Sequence, residues 1–315
     1  MSIRFASAAS AVALAACFAT PAFASEADAA IAGPVEATEI AVSDDAAAVS
    51  LRAIEPVDLA TATGQADDAP AITVSGSATL TTDYRFRGVS QSDEGMAVQG
   101  GFTLSHSSGF YVGTWGSNLS GWGTFGGANM ELDIYAGYKL PVGEGTLDLG
   151  GTWFMYPSGA DVTDFAELYA KLSGSAGPVS LTATVAYAPS QEALGNAFPV
   201  GRPANPGDKE DNLYLAGDAA YGIADTPITL KAHIGYSDGN PGLGPNGTSV
   251  APTGTYLDWL IGADIVPISG LTLSVAYVDT DITEAEANLI RPNFATLAGD
   301  SISDATVVFS VTASF

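Results

Sequence analysis

Twelve segments of about ten residues alternate apolar with small or polar side chains, their connections are short and long in strict turn, and only 14% of residues are charged. Together these observations predict an all-β chain, a transmembrane antiparallel β-barrel of about 12 strands. Period two marks a strand with one apolar and one wet face, and helical periodicity never takes over. A soluble domain carries about 25% charge. The 315 residues hold 10 basic and 35 acidic side chains, a formal charge of -25, with 36 glycines. Nucleic acid is excluded as a partner, because phosphate binding is driven by Lys and Arg releasing counterions.

The chain opens with Arg4, an apolar small-residue run from Phe5 to Phe18, and Ala22-Phe23-Ala24. This is the pattern of a secretory signal peptide over 1–24, cleaved after an A-x-A site. Leu14-Ala15-Ala16-Cys17 is a competing lipoprotein-type site, in which Cys17 would carry lipid. With cleavage at Ala24 the mature chain has no cysteine, so disulfides contribute nothing to its stability. Residues 25–70 hold ten acids, one base (Arg52) and no aromatic residue. Such a composition cannot bury enough apolar area to offset chain entropy, and the segment is expected to be a disordered, acidic, Ala-rich periplasmic tether. The barrel is then expected over 71–315.

The first strand is expected to run from Thr73 to Arg87, with Val74, Gly76, Ala78, Leu80, Thr82, Tyr84 and Phe86 outward. Further strands follow at about 95–107, 109–117, 129–140, 145–156, 164–173, 177–188, 211–221, 227–237, 255–266, 270–279 and 304–315. In outer-membrane barrels periplasmic turns are short and extracellular loops long. The alternation of connection lengths therefore sends strand one outward and leaves both termini periplasmic. No mature run reaches 18 apolar residues, which excludes a helical span.

The second face of these strands is rich in Ser, Thr, Gly and carboxylate, while the apolar face is almost free of charge; this is a polar lumen inside an apolar band. Tyr84, Phe86, Trp153, Tyr187, Tyr236, Trp259 and Tyr277 are expected to form an outer aromatic girdle, and Phe110, Tyr138, Tyr221 and Phe315 an inner one. The last strand alternates down to Phe315, a terminus similar to the signature read by the barrel-assembly machinery of Gram-negative bacteria. Outer-membrane lipids and lipopolysaccharide are the expected surroundings.

Lumen-facing acids are expected at Asp83, Glu131, Asp133, Asp148, Glu167, Asp218, Asp258 and Asp264, against bases at Arg85, Arg87, Lys139, Lys171 and Lys231. Reflection through the hairpin turns sets Lys139 opposite Asp148 and Asp218 opposite Lys231, pairs that support a sheet by about 0.2–1 kcal/mol each. Arg85 and Arg87 facing Glu131, Asp133 and Glu167 across the wall would set a transverse field, and an acidic ring favours small cations. Asp83, Arg85, Arg87, Glu131, Asp133, Glu167 and Asp258 are therefore the candidate selectivity residues of a narrow pore for small hydrophilic solutes or ions.

Catalytic readings are weaker. His106-Ser107-Ser108-Gly109 has a His two residues from a Ser but lies in a short turn, and His233 stands alone as a lumen residue. Asp208, Glu210 and Asp211 lack a histidine partner for a protease site, no zinc-binding spacing occurs, and Asp279-Thr280-Asp281 does not meet the EF-hand pattern. No cofactor or metal is expected. The alternatives to a pore are a lipase- or protease-type barrel enzyme, and a closed structural or adhesive barrel acting through its loops.

Thr81-Thr82-Asp83-Tyr84-Arg85-Phe86-Arg87-Gly88-Val89-Ser90-Gln91-Ser92, Gln99-Gly100-Gly101, Ser108 to Asn118, Glu131 to Tyr138, Tyr156-Pro157, Tyr256-Leu257-Asp258 and Val308-Phe309-Ser310 resemble the TorF family of proteobacterial porins. The resemblance covers about 71–315 and is strongest in the first half. It implies an outer-membrane barrel whose solutes are largely unknown. By position it maps Asp83, Arg85, Arg87, Glu131 and Asp133 onto polar residues of the family motif, without assigning them a pore role.

Overall fold

Backbone hydrogen bonds decide what can stand in lipid, and here they close into a ring. The computed structural model describes residues 71–195, 197–199, 207–290, 294–296 and 298–315. The expected signal peptide and acidic tether lie outside the described residues. Twelve strands form one closed antiparallel barrel: β1 (Ile72–Thr81), β2 (Ala97–His106), β3 (Phe110–Asn118), β4 (Met130–Val142), β5 (Gly145–Met155), β6 (Phe165–Ala176), β7 (Val179–Gln191), β8 (Glu210–Gly222), β9 (Ile228–Gly239), β10 (Thr255–Ile268), β11 (Leu271–Thr280) and β12 (Thr306–Ser314). Each pairs with its sequence neighbour. The seam is closed by β1 and β12 in the register Ser77↔Ser314 to Thr81↔Ser310. Gly76 and Phe315 extend it by exchanging backbone hydrogen bonds of 2.9 and 3.0 Å, and Thr79 and Thr312 hydroxyls meet at 2.9 Å across it. A ring without edges satisfies wall amides that hydrocarbon cannot.

The turns at one rim are short, two to five residues, because glycines or an aspartate take left-handed conformations there: Gly143, Gly177 and Gly270 at φ 61°, 62° and 77°, and Asp225 at 61°. At the other rim the connections 82–96, 119–129, 156–164, 192–209, 240–254 and 281–305 are long. Among the described residues the one α-helix, α1 (Glu284–Leu289), sits in the last of these.

Outward positions between the rims are apolar. Ile261, Val98 and Leu168 are 66%, 66% and 59% exposed, and Ile134, Val185, Ile234, Val275 and Phe309 belong to the same belt. A surface of this kind on a water-soluble monomer would be an aggregation hazard; in a bilayer it is the lipid-facing band. Trp153, Tyr187, Tyr277, Phe110, Tyr221 and Phe315 are exposed at strand ends as the girdles require.

The first strand departs from expectation. β1 leaves the wall at Thr81, and residues 82–96 turn inward, so Tyr84 and Phe86 are buried inside the barrel rather than placed in the outer girdle. The alternation of residues 82–87 continues that of β1, which is why the pattern alone runs through the bend.

Several tyrosines lie flat against inward-facing glycines of the neighbouring strand. A methyl group at Gly113 would overlap Tyr135, one at Gly137 Tyr111, one at Gly150 Tyr169, and one at Gly235 Tyr214. Glycine is required at these positions by close approach, since each aromatic ring occupies the volume a side chain would fill.

Candidate functional site

The inner face carries seven buried acids (Asp83, Glu131, Asp133, Asp148, Glu167, Asp258, Asp264) and three buried bases (Arg85, Arg87, Lys231). Charges in a poorly hydrated interior persist only when paired and hydrogen-bonded. Their partners define the site.

The inward segment is a small hairpin. Arg85–Phe86 pairs with Val89–Ser90, and its tip, Arg87-Gly88, has φ of 49° and 81°. Two left-handed residues in a two-residue turn give the type I′ hairpin, which takes Gly readily at the second position. A side chain at Gly88 would overlap Thr280, and its Cβ would stand 3.1 Å from Asp258 Cβ, so the tip touches the wall formed by β10 and β11. The base of the hairpin is tied by Asp83. Its Oδ2 lies 2.6 Å from Arg85 Nε, and its Oδ1 accepts hydrogen bonds from Ser90 Oγ and Ser92 Oγ at 2.6 and 3.0 Å. Arg85 also donates to the carbonyls of Gly88 and Asp304 and to Glu94 Oε1, at 2.9, 3.0 and 2.8 Å.

The tip arginine crosses the lumen. Arg87 Nη2 lies 2.6 Å from Glu167 Oε2 on β6, five strands around from β1, while its guanidinium carbon stands 3.9 Å from the ring centroid of Tyr214 on β8. Among the described residues Arg87 Nε and Nη1 find no hydrogen-bond acceptor. Tyr214 Oη donates toward Asp258 at 3.1 Å and meets His233 Nε2 at 3.0 Å. His233 spans two carboxylates, Nδ1 to Asp218 Oδ1 at 2.7 Å and Nε2 to Asp258 Oδ1 at 3.1 Å. Its imidazolium form can donate to both. A connected chain thus runs Glu167, Arg87, Tyr214, Asp258, His233, Asp218.

Deeper toward the short turns the charges form local sets. Lys231 Nζ lies 2.6 Å from Asp264 Oδ2, whose Oδ1 accepts from Ser274 Oγ at 2.7 Å. Tyr111 Oη donates to Asp148 Oδ1 at 2.7 Å and meets Tyr169 Oη. In register Asp148 stands between Lys139 on β4 and Lys171 on β6. Lys139↔Asp148 is the pairing that turn reflection gives. Asp218, however, faces His233, and Lys231 faces Ala220. The hairpin 212–239 is centred one residue beyond the assumed turn, which moves each partner by two positions and leaves every side chain on its expected face.

Over the hairpin the long connections bring a packed aromatic layer. Trp122 meets Phe125 and Phe294 with ring centroids 5.9 and 4.9 Å apart and Phe125 meets Tyr156 at 5.0 Å, while at the adjoining strand ends Phe154 of β5 stacks on Phe165 of β6 at 4.5 Å. Tyr84 packs edge-on to Trp115 at 5.4 Å and turns its hydroxyl to both Glu131 oxygens at 3.2 Å. Asp133 is fully buried in the same layer of the wall.

All seven candidate selectivity residues therefore lie in the half of the barrel nearer the long connections, each at 6% exposure or less. Arg87, Glu167 and Asp258 join one network, Asp83 and Arg85 form the root of the hairpin, and Glu131 pairs with Tyr84. Sequence reasoning missed Tyr214 and set His233 aside as a lining residue; Gly235, an inward glycine beside a tyrosine, was the available signal. His106 Nδ1 lies 2.7 Å from Ser108 Oγ on an exposed turn. Among the described residues no group of three metal-binding side chains occurs.

No curated protein matches the chain. The solved structures similar to it include the NanC porin in a rhombohedral crystal form (10% identity, 77% of this chain and 99% of that one, TM-score 0.48). They also include the KdgM porin (8%, 76% and 98%, 0.46) and the COG4313 outer membrane channel from Pseudomonas putida F1 (10%, 83% and 99%, 0.42). Residues 65–315 match the family Gcw_chp, described as a bacterial protein of unknown function, and the chain belongs to that family.

Proposed function

We propose that this chain is an outer-membrane porin of the TorF type, forming a narrow, polar, net acidic pore for passive diffusion of small hydrophilic solutes or ions. The observation that carries the reading is the pairing of opposites across one wall: an apolar belt outside and, inside, six buried acids against one base, Lys231, on strands whose ladder has no edge. A barrel serving only as a scaffold has no need of so many interior charges, each of which costs desolvation. In this reading Asp83, Arg85, Arg87, Glu131, Asp133, Glu167 and Asp258 set the selectivity, and the acidic excess favours cations.

The same proposal places the chain in a Gram-negative outer membrane, exported by the signal peptide at 1–24, with both termini and the 25–70 tether in the periplasm. Phe315 is then the residue presented to the assembly machinery, and lipid with lipopolysaccharide surrounds the belt.

Reconstitution into planar bilayers tests it. The reading requires discrete conductance steps whose reversal potential in a salt gradient reports cation preference. Electrical silence together with lipase or protease turnover replaces it with an enzymatic barrel.

A further inference from the structure

We propose that the hairpin of residues 82–96 is a gate, latched across the lumen by Arg87 on Glu167, whose withdrawal exposes the carboxylates of the wall to water in a cation-selective lumen. The inference rests on the porin reading and names the regulation of the same site.

Four observations support it. First, the hairpin takes no part in the barrel ladder. Among the described residues, its backbone bonds to the rest of the chain that lie away from its ends are Ser90 N to Ile302 O at 2.9 Å, Ser120 N to Gln91 O at 3.0 Å and Tyr256 Oη to Arg87 O at 3.1 Å. It can leave the lumen without opening the wall. Second, it holds strain: Arg87, Asp93 and Glu94 are non-glycine residues at φ 49°, 58° and 57°. Such conformations persist only where surrounding contacts hold them, and they cluster at switch segments.

Third, the latch is incompletely satisfied. Arg87 is 1% exposed, yet among the described residues its Nε and Nη1, and Glu167 Oε1, lack hydrogen-bond partners. Water reaching these atoms on opening would satisfy them, which lowers the cost of release. Fourth, acids remain on the wall when the hairpin leaves. Arg85 and Arg87 travel with the hairpin, as do Asp83, Asp93 and Glu94, so the departing segment itself holds three acids against two bases. The wall keeps Glu131, Asp133, Glu167 and Asp258 in its half nearer the long connections, and the described strand residues there include no Lys or Arg. Closed, Arg85 is held by Asp83 and Glu94 of the hairpin and Arg87 engages Glu167 of the wall; open, Glu167 joins Glu131, Asp133 and Asp258 in facing water.

The test is conductance of the full chain in planar bilayers, with folding of every variant checked by heat-modifiable electrophoretic mobility. Arg87→Ala releases the latch without altering a wall acid. Ser92→Cys with Ser120→Cys, in a Cys17→Ser background, ties the hairpin to a position two residues beyond the end of β3; the two serines already form a parallel bridge. The expected result is brief, rare openings in the wild type and at least a tenfold greater open fraction in Arg87→Ala, with cation preference. The oxidised double-cysteine protein should be silent, and the same sample should recover on reduction, a comparison that does not depend on how well Arg87→Ala folds. Identical steps in oxidised and reduced samples overturn the gate and leave the pore standing. Silence of every folded variant overturns both.

Discussion

The Arg87 guanidinium, carried on a hairpin that leaves the wall after β1, lies 2.6 Å from the Glu167 carboxylate on β6 across the barrel, and both are almost fully buried. A contact spanning the lumen is a different object from two charges lining opposite sides of an open channel. It fixes the hairpin tip, brings the guanidinium over Tyr214, and through Tyr214 reaches Asp258, His233 and Asp218.

Removing one member of that pair leaves the other buried and uncompensated, a loss of about 3–5 kcal/mol in comparable cases. Glu167→Leu is expected to destabilise the folded barrel on that scale, and Arg87→Met combined with Glu167→Leu to recover most of the loss. Urea unfolding in detergent micelles, followed by tryptophan fluorescence, measures both; a double variant as unstable as the single one contradicts the pairing.

Gly235 gives a packing prediction. A methyl group there would overlap Tyr214 Oη and approach Asp258 Oδ2 at 2.5 Å. Gly235→Ala should cost roughly 1–3 kcal/mol, the usual range for overpacking. Tyr214→Phe in the same chain should recover part of it by removing the clashing oxygen. Thermal unfolding of the three variants decides.

The lipid-facing belt is tested by Ile261→Arg, at a mid-strand position 66% exposed on β10. A charge at the bilayer midplane of a barrel costs about 2–4 kcal/mol, whereas lumen positions tolerate it. Thr182→Arg, on an inward position of β7, should change the refolding yield into vesicles far less than Ile261→Arg does.

A pH dependence is expected at α1. The Glu286 carboxylate accepts hydrogen bonds from Thr283 N and Oγ at 2.8 and 2.7 Å, which hold its pKa below the ordinary carboxylate value. A depressed folded pKa means that the support given to α1 is present above the unfolded value and is lost as pH falls through the folded one. The group is exposed, so solvent screening keeps the effect well below about 1 kcal/mol. Amide exchange of residues 284–289 should quicken at acid pH in the wild type, and Glu286→Gln should flatten that response.

The wall was legible because a half-buried strand must alternate, and turn length separates the two rims. Lys139↔Asp148 followed from simple reflection through Gly143 and Glu144. The hairpin was not legible from alternation, since Thr82, Tyr84 and Phe86 continue the phase of β1; the local signal was Arg87-Gly88, a two-residue turn of the kind glycine permits. Asp218 was given Lys231 instead of His233 because the connection at 223–227 shifts its centre, a detail that side-chain pattern does not encode. The cross-lumen contacts of Arg87 and His233 depend on which strands closure sets opposite one another, and no local window holds that information.

Spin labels placed singly from Tyr256 to Val266 along β10, in vesicles, test the central claim most directly. The account predicts collision rates with oxygen that are high at 257, 259, 261, 263 and 265 and low at the even positions between them. Uniform accessibility along the stretch, or high rates at the even positions, would contradict a charged interior enclosed by a lipid-facing wall.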